Sequence, residues 1–291
     1  MSQLDYVAPV SAEEAAAALF SGGASARPLA GGTDLLVQLR AGRLPRGLIV
    51  DLKHIPGAIG IRRDEAGGFV IGAATPGAVI GEHQALSAAW PGVVEATNLI
   101  GSTQVQGRAT MAGNLCNASP AADSVPALVA ARAACVIVGP GGRREIPAEA
   151  IAVNPGKTSL APGEFVLEIR LPPRPPKSAD AYLRSIPRTE MDIAVVGAGV
   201  NLTLDAAGVV TQAHVALGAV APTVLLAGEA GAALVGTRVD EAALEALDRA
   251  ARAACRPISD KRGTAEFRTK IAGVLARRAA LIAYERALQR T

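Results

Sequence analysis

Two glycine-bearing turns, far apart in the chain, constrain the fold more than any other feature. The first reads Pro28-Leu29-Ala30-Gly31-Gly32-Thr33-Asp34-Leu35-Leu36. The second runs from Ala109 through Thr110-Met111-Ala112-Gly113-Asn114 to Asn117-Ala118-Ser119-Pro120 and Asp123. Each places small residues, open backbone N–H groups and hydroxyls where an apolar stretch meets a helix-forming one. Backbone amides in such a bend form an anion site. Gly31 and Gly32 permit positive φ and let the backbone approach a ligand. Thr33 either caps the following helix or donates to a phosphate oxygen, while Asp34 presents its N–H, because its carboxylate would repel phosphate. In the second turn Thr110 and Asn114 supply donors, and Ala112 and Gly113 keep the path open. The Asp123 carboxylate suits hydroxyls such as those of a ribityl or ribose chain. Together the turns suggest a large, doubly anionic cofactor. The alternatives are an ordinary strand–helix turn for the first and a loop stapled by its own Asn and Ser side chains for the second.

The elements around the turns define an α+β chain in two parts. A capping box at Ser11-Ala12-Glu13-Glu14 starts a helix near residue 12. Arg27–Ala30 reads as a short strand, Asp34–Ala41 as a helix and Leu48–Leu52 as a buried strand, which makes a small α/β unit over residues 1–54. From residue 55 to 175 strands and short helices mix: strands at Phe69–Ala73, Ala134–Val138 and Phe165–Leu171, helices at Ala78–Leu86, Val93–Leu99 and Ser124–Ala131. Pro172-Pro173-Arg174-Pro175-Pro176 is an extended connector. After it, β-rich runs at Ile193–Leu204 and Val209–Val220 flank the turn Asp205–Gly208. Helices over Val239–Ala254 and Thr264–Leu288 back this antiparallel sheet in a C-terminal domain of residues 176–291.

Composition narrows the function. The chain of 291 residues is 50% apolar and 19% charged, so it folds as a globular protein. A net charge of +3 and an aromatic content of 3% argue against nucleic acid as the ligand. No apolar run is long enough for a membrane helix, and Met1–Tyr6 resembles no export signal. The three cysteines Cys116, Cys135 and Cys255 cannot supply four thiolates to a cluster, and free thiols predict a cytoplasmic protein. Gly156-Lys157-Thr158 lacks the glycine a P-loop needs, because Ile151 stands there. Gly197-Ala198-Gly199 continues as strand, with Leu202 where a dinucleotide fingerprint wants its third glycine. His54, His83 and His214 have no partners at ligand spacing, and no metal site is expected. No residue is assigned as acid, base or nucleophile, so the chemistry belongs to a cofactor.

Ile100 through Asp123 resembles the signature of the FAD-binding subunits of molybdenum hydroxylases, a family that includes xanthine dehydrogenase, carbon monoxide dehydrogenase medium chain and 4-hydroxybenzoyl-CoA reductase. Pro28–Leu36 is similar to its first flavin motif. Arg188–Ala194, Ala216–Thr223 and Ser259–Arg268 resemble its C-terminal segments, in order. The resemblance implies an FAD-binding domain over residues 1–175 in which Arg27, Pro28, Leu29, Ala30, Gly31, Gly32, Thr33, Asp34 and Leu35, with Thr110, Met111, Ala112, Gly113 and Asn114, grip the diphosphate. Asp123 would hold a cofactor hydroxyl, Ile100 and Val166 would touch the flavin, and Arg184 would stand where the family usually has lysine. Ala112 replaces a common glycine, and the cysteine-bearing insertion of the reductase branch is absent. Thr33-Asp34 and Asn117–Pro120 look closer to the xanthine dehydrogenase branch than to the carbon monoxide branch.

The resemblance further implies an electron-transfer subunit of a heterohexamer, a dimer of heterotrimers. The partners would be a small subunit with two [2Fe–2S] clusters and a large subunit with the molybdenum cofactor. FAD would pass electrons to NAD⁺, a quinone, O₂ or another acceptor. Two alternatives remain at this stage: a stand-alone flavoprotein oxidoreductase acting on a small substrate, and an assembly subunit whose turns bind no flavin.

Overall fold

Ser11 begins the first helix as its residue pattern requires: its hydroxyl accepts from the Glu14 N–H, and the Glu14 carboxylate accepts in return from the Val10 N–H. In the computed structural model, which describes residues 4–188 and 191–290, that helix belongs to a small N-terminal unit. The unit comprises β1 (Asp5–Val7), α1 (Ala12–Ser21), β2 (Arg27–Leu29), α2 (Leu35–Arg40) and β3 (Leu48–Asp51). Its three strands lie parallel in the order β1-β3-β2. Parallel register sets Leu29 opposite Asp51, so the segments that follow β2 and β3 leave the sheet at the same edge.

The second unit holds β4 (Ile61–Arg63), β5 (Phe69–Gly72), α3 (Gly77–Glu82), α4 (Gln84–Ala89), α5 (Pro91–Thr97), α6 (Thr103–Gln106), α7 (Met111–Cys116) and α8 (Ser124–Ala130). It continues with β6 (Ala134–Gly139), β7 (Gly142–Pro147), the small hairpin β8 (Ala152–Asn154) and β9 (Lys157–Thr158), and β10 (Phe165–Leu171). An antiparallel sheet of order β4-β5-β10-β6-β7 forms its floor. The helix expected over Ala78–Leu86 is two helices, broken at His83. There the backbone turns extended, and the imidazole Nδ1 accepts from the Leu86 N–H to start α4. The main core joins this sheet to α5, α7 and α8 through Ile71, Leu86, Trp90, Met111, Leu115, Leu128, Ile137 and Ile169.

Beyond the proline connector, β11 (Ser178–Ser185), β12 (Val196–Leu204), β13 (Val210–Gly218) and β14 (Leu225–Leu226) form an antiparallel sheet in sequential order. The helices α9 (Gly228–Ala232), α10 (Glu241–Ala254) and α11 (Ala265–Leu288) follow, and α10 and α11 enclose a second core with the sheet. Helix α11 can lie close on β11 and β12 because its inner face is small: Ala272, Ala276, Ala279, Ala280 and Ala283 are fully buried. The sheet meets the second unit at α8, where the backbone of Pro126 packs so near Gly199 that a Cβ there would lie 2.6 Å from its carbonyl oxygen. Charged groups fasten the two as well. Arg174 pairs with buried Asp180 at 2.6 Å and stacks on the Trp90 ring at 3.5 Å, and Arg286 pairs with Glu95.

Candidate functional site

The two glycine turns converge. Gly31 sits so close to the second turn that a Cβ on it would lie 1.9 Å from the Arg108 carbonyl oxygen, and the next-nearest atom is the Arg108 carbonyl carbon at 2.8 Å. Gly32 has φ of +79°, the left-handed turn its residue type allows. A side-chain bond adds to the contact: Gln38 Nε2 on α2 donates to Asn117 Oδ1 at 3.1 Å. A third strand–helix junction closes the group, because the Gly77 N–H donates to the Ala109 carbonyl at 2.8 Å and Pro76 bridges to Thr110.

Around this junction backbone donors are left over. The N–H groups of Gly32, Thr33, Asp34 and Leu35 have no backbone or side-chain acceptor among the described residues, and α2 receives no side-chain cap. The Thr33 hydroxyl makes no hydrogen bond among the described residues and does not cap α2. In the second turn the Thr110 hydroxyl caps α7 by accepting from the Gly113 N–H at 3.0 Å. The N–H groups of Met111 and Ala112 lack acceptors among the described residues. Gly113 is exposed; apart from the Thr110 hydroxyl at 2.8 Å, a Cβ there would meet open space. Clustered free amides beside an open face suit an anion, and a polyphosphate fits them better than any neutral group would.

Asn114 acts differently from the expectation. Its Oδ1 accepts from both the N–H and the hydroxyl of Ser124, at 3.1 and 2.7 Å, and so caps α8 from outside. Its amide N–H groups remain as donors. Arg27 folds its guanidinium back onto the carbonyls of Ala24 and Ala26. Leu29 packs with Leu39 and Ile49 beneath the first turn, with Leu35 against them, and Pro28 is exposed. Leu29 and Leu35 thus support the turn through packing, and Arg27 through its hydrogen bonds.

Ile100, Asp123 and Arg184 come together in a second group. Arg184 Nη1 donates to Asp123 Oδ2 at 2.9 Å and to the Leu99 carbonyl at 3.0 Å, which fixes the peptide before Ile100. Tyr182 adds a long hydrogen bond from its hydroxyl to Asp123 Oδ1. Burial pushes the Asp123 carboxyl up to about 6, against the downward pull of Arg184 and Tyr182. Asp123 thus has a protein counter-ion of its own, which leaves it less free for a ligand hydroxyl than the residue pattern implied. Val166 is buried in β10, in the same core as Met111 and Ala112, and α7 rests on its strand.

Sequence reasoning passed over Lys53. This residue, Ala30, Gly31, Ile59, Ala74, Pro76, Gly107 and Arg108 line a cleft of about 180 Å³ at the junction of the turns. The usable signal was positional: Lys53 follows a parallel strand, and open α/β sheets place ligands beyond the carboxyl ends of such strands. Its partner Asp51 is buried. Burial alone would raise that carboxyl, but Lys53 and the Tyr6 hydroxyl draw it below the usual carboxylate range.

Residues 2–174 match the family model described as FAD binding domain in molybdopterin dehydrogenase, and residues 181–283 match the CO dehydrogenase flavoprotein C-terminal domain. The carbon monoxide dehydrogenase medium chain of Afipia carboxidovorans is 38% identical over 94% of each chain. An Escherichia coli K12 protein described as a putative xanthine dehydrogenase FAD-binding subunit is 31% identical over 84% of this chain and 83% of its own length. In solved structures, a chain of reconstituted CO dehydrogenase from Oligotropha carboxidovorans superposes with a TM-score of 0.93 at 36% identity, covering 98% of this chain and 99% of its own. Identity over the whole chain is thus higher to the carbon monoxide relative than to the xanthine one. Whole-chain identity does not follow the leaning toward the xanthine dehydrogenase branch expected from Thr33-Asp34 and Asn117–Pro120. With both units matched in order and the FAD-binding architecture intact, the chain belongs to the FAD-binding medium subunits of the molybdenum hydroxylases, as an oxidoreductase subunit.

Proposed function

We propose that this chain clasps FAD between its two turns and serves as the electron outlet of a molybdenum hydroxylase. The observation that carries the reading is the contact of Gly31 with the Arg108 backbone, which gathers the free amides of both turns around one opening. The Gly32–Leu35 amides, the Thr33 hydroxyl and the Met111 and Ala112 amides would hold the diphosphate. The exposed face of Gly113 would lie against it, and the Asn114 amide would donate nearby. Ile100, held by Arg184 through Leu99, would wall the flavin end, with Asp123 and Val166 supporting that wall. When bound, FAD supplies the exchange between single electrons from the [2Fe–2S] clusters of a small partner subunit and the reduction of an external acceptor. Substrate oxidation would belong to a large molybdenum subunit in a dimer of heterotrimers. Among the described residues no helix is long and apolar enough to cross a membrane, and the three thiols are free. Both features agree with assembly in the cytoplasm.

The test is a titration of the flavin-free chain with FAD, followed by quenching of flavin fluorescence. Saturable binding at one FAD per chain is expected. In Gly113→Val the branched side chain enters the open face and must push aside the Thr110 hydroxyl, 2.8 Å from its Cβ; the variant is expected to be colourless while its melting stays close to wild type. Full yellow occupancy of that variant would remove the second turn from the clasp.

A further inference from the structure

Lys53 is held more firmly than a surface lysine. Its ammonium donates to Asp51 Oδ1 at 2.6 Å and to the Ala30 carbonyl at 3.4 Å, and its side chain is 26% exposed. Asp51 is anchored in turn. Its Oδ2 accepts from the Tyr6 hydroxyl at 2.6 Å, and its Oδ1 also accepts from the Lys53 N–H at 3.0 Å. The three residues come from two parallel strands and the segment after the second, so sheet register fixes their spacing. An ammonium carries three N–H donors. Two are engaged, and the third remains in a cleft whose other walls include Gly31, Gly107 and Arg108. Arg108 is exposed and forms no ion pair among the described residues. A buried carboxylate that orients a half-covered ammonium at a cleft of open amides is an arrangement for a ligand oxyanion, because a charge-assisted donor gains most when its direction is fixed in advance.

The geometry points to Lys53 as a binding residue for an anionic oxygen in the ADP half of the cofactor, with Asp51 and Tyr6 as its positioning residues. This rests on the reading of the turns as an FAD clasp. The diphosphate is the only anionic part of FAD, so the ammonium acts on that half and leaves the isoalloxazine surroundings unchanged. Asp51 offsets most of the Lys53 charge, which makes the contribution a directed hydrogen bond and not a long-range attraction.

The experiment measures the affinity of the flavin-free full chain for FAD and, separately, for ADP by calorimetry, in wild type, Lys53→Met and the double variant Asp51→Asn/Lys53→Met. The double variant removes the cation without stranding a buried carboxylate, so it separates binding from folding. Both variants should bind FAD and ADP about tenfold more weakly, the scale of one hydrogen bond to a charged group. At saturation the visible spectrum of bound FAD should match wild type. Tyr6→Phe should lose less, about threefold, since it loosens Asp51 without removing the donor. ADP affinity within about twofold of wild type in the double variant would overturn the assignment of Lys53 while leaving the clasp in place. A wild-type chain that binds neither FAD nor ADP would overturn both.

Discussion

The two halves of the clasp differ in how they are supported. The second turn is set into the main core: Met111, Ala112 and Leu115 are all buried on α7, and Asn114 ties it to the start of α8. The first turn stands on a three-stranded sheet whose edge strand β1 is exposed along its length; Leu29, Leu39 and Ile49 are buried beneath the turn, while Val50 and Leu52 join a separate cluster with Leu19 of α1 and Phe165 and Leu167 of β10. Leu36 and Val37 on α2 point outward, at 40% and 62% exposure. Of α2 only Leu39 is buried, against Met111, Ala112 and Leu115 of α7, so opening of α2 and the turn before it disturbs fewer buried contacts and their local stability is the lower. The lesson is one of division of labour. On the proposed reading, a rigid half would present fixed donors, and a more compliant half would be held in place by the bound ligand.

Arg184→Met would attack the rigid half and should have the largest effect. It leaves Asp123 buried without a counter-ion, at a cost of about 3–5 kcal/mol in folding stability. Adding Asp123→Asn should recover most of that loss in thermal unfolding. If Arg184→Met melts like wild type, the second half does not owe its rigidity to this pair. Gly31→Ala comes next, and it tests the seam between the halves. Its methyl group would collide with Arg108 backbone, which has no flexible end to move aside. FAD binding should weaken by about 2–3 kcal/mol, with little change in the melting of the main core. A uniform fall in both would show that the halves are equally rigid and erase the contrast.

Acid titration sharpens the comparison at a smaller scale. The Asp123 carboxyl is raised to about 6 in the folded chain, above its unfolded value, so the native state holds the proton more tightly. Its contribution to stability is complete below the unfolded pKa and is lost as the pH rises through about 6, by about 3 kcal/mol. In the flavin-free chain, wild type should therefore lose stability relative to Asp123→Asn between about pH 4 and pH 7. The opposite slope would mean that attraction to Arg184 outweighs burial.

Much of this was legible from residues alone, and the parts that were not share a cause. Both turns, the capped start of α1, the helix from Thr264 and the strand over Phe165–Leu171 are local signals that the structure carries, although β10 does not alternate and is buried everywhere but at Arg170. Of the Arg188–Ala194 segment, Thr189 and Glu190 lie outside the described residues, as do Met1–Gln3 at the start and Thr291 at the end. Strand β11 escaped notice because its inward positions include Ser178 and Asp180, polar residues whose burial is offset by Arg174 in the connector, by the Val93 N–H and by the Pro175 carbonyl. Edge strand β7, with Arg143, Arg144 and Glu145, has no apolar alternation to mark it as a strand. Asp123 and Arg184 were both named, yet their pairing across sixty-one residues is a tertiary fact that no spacing rule encodes. The same holds for Lys53, whose value lies in a sheet edge shared with Ala30.

Gln38 offers the gentlest probe of the compliant half. Its amide donates to Asn117 across the seam, part-buried, and bonds none of the free amides that would meet a diphosphate. Gln38→Ala removes this tether without adding bulk, and water can replace the lost bond, so the expected cost is about 0.5–1.5 kcal/mol. Because the tether restrains the first turn in the empty protein, its loss should raise hydrogen exchange at Thr33–Leu39 in the flavin-free chain. Exchange on α7 should stay as it was, since that helix is held by the core. Bound FAD would hold the turn in place of the tether, so the difference in exchange should vanish on saturation. If α7 loosened along with α2, the two turns would form one cooperative unit, and the contrast drawn between them would fail.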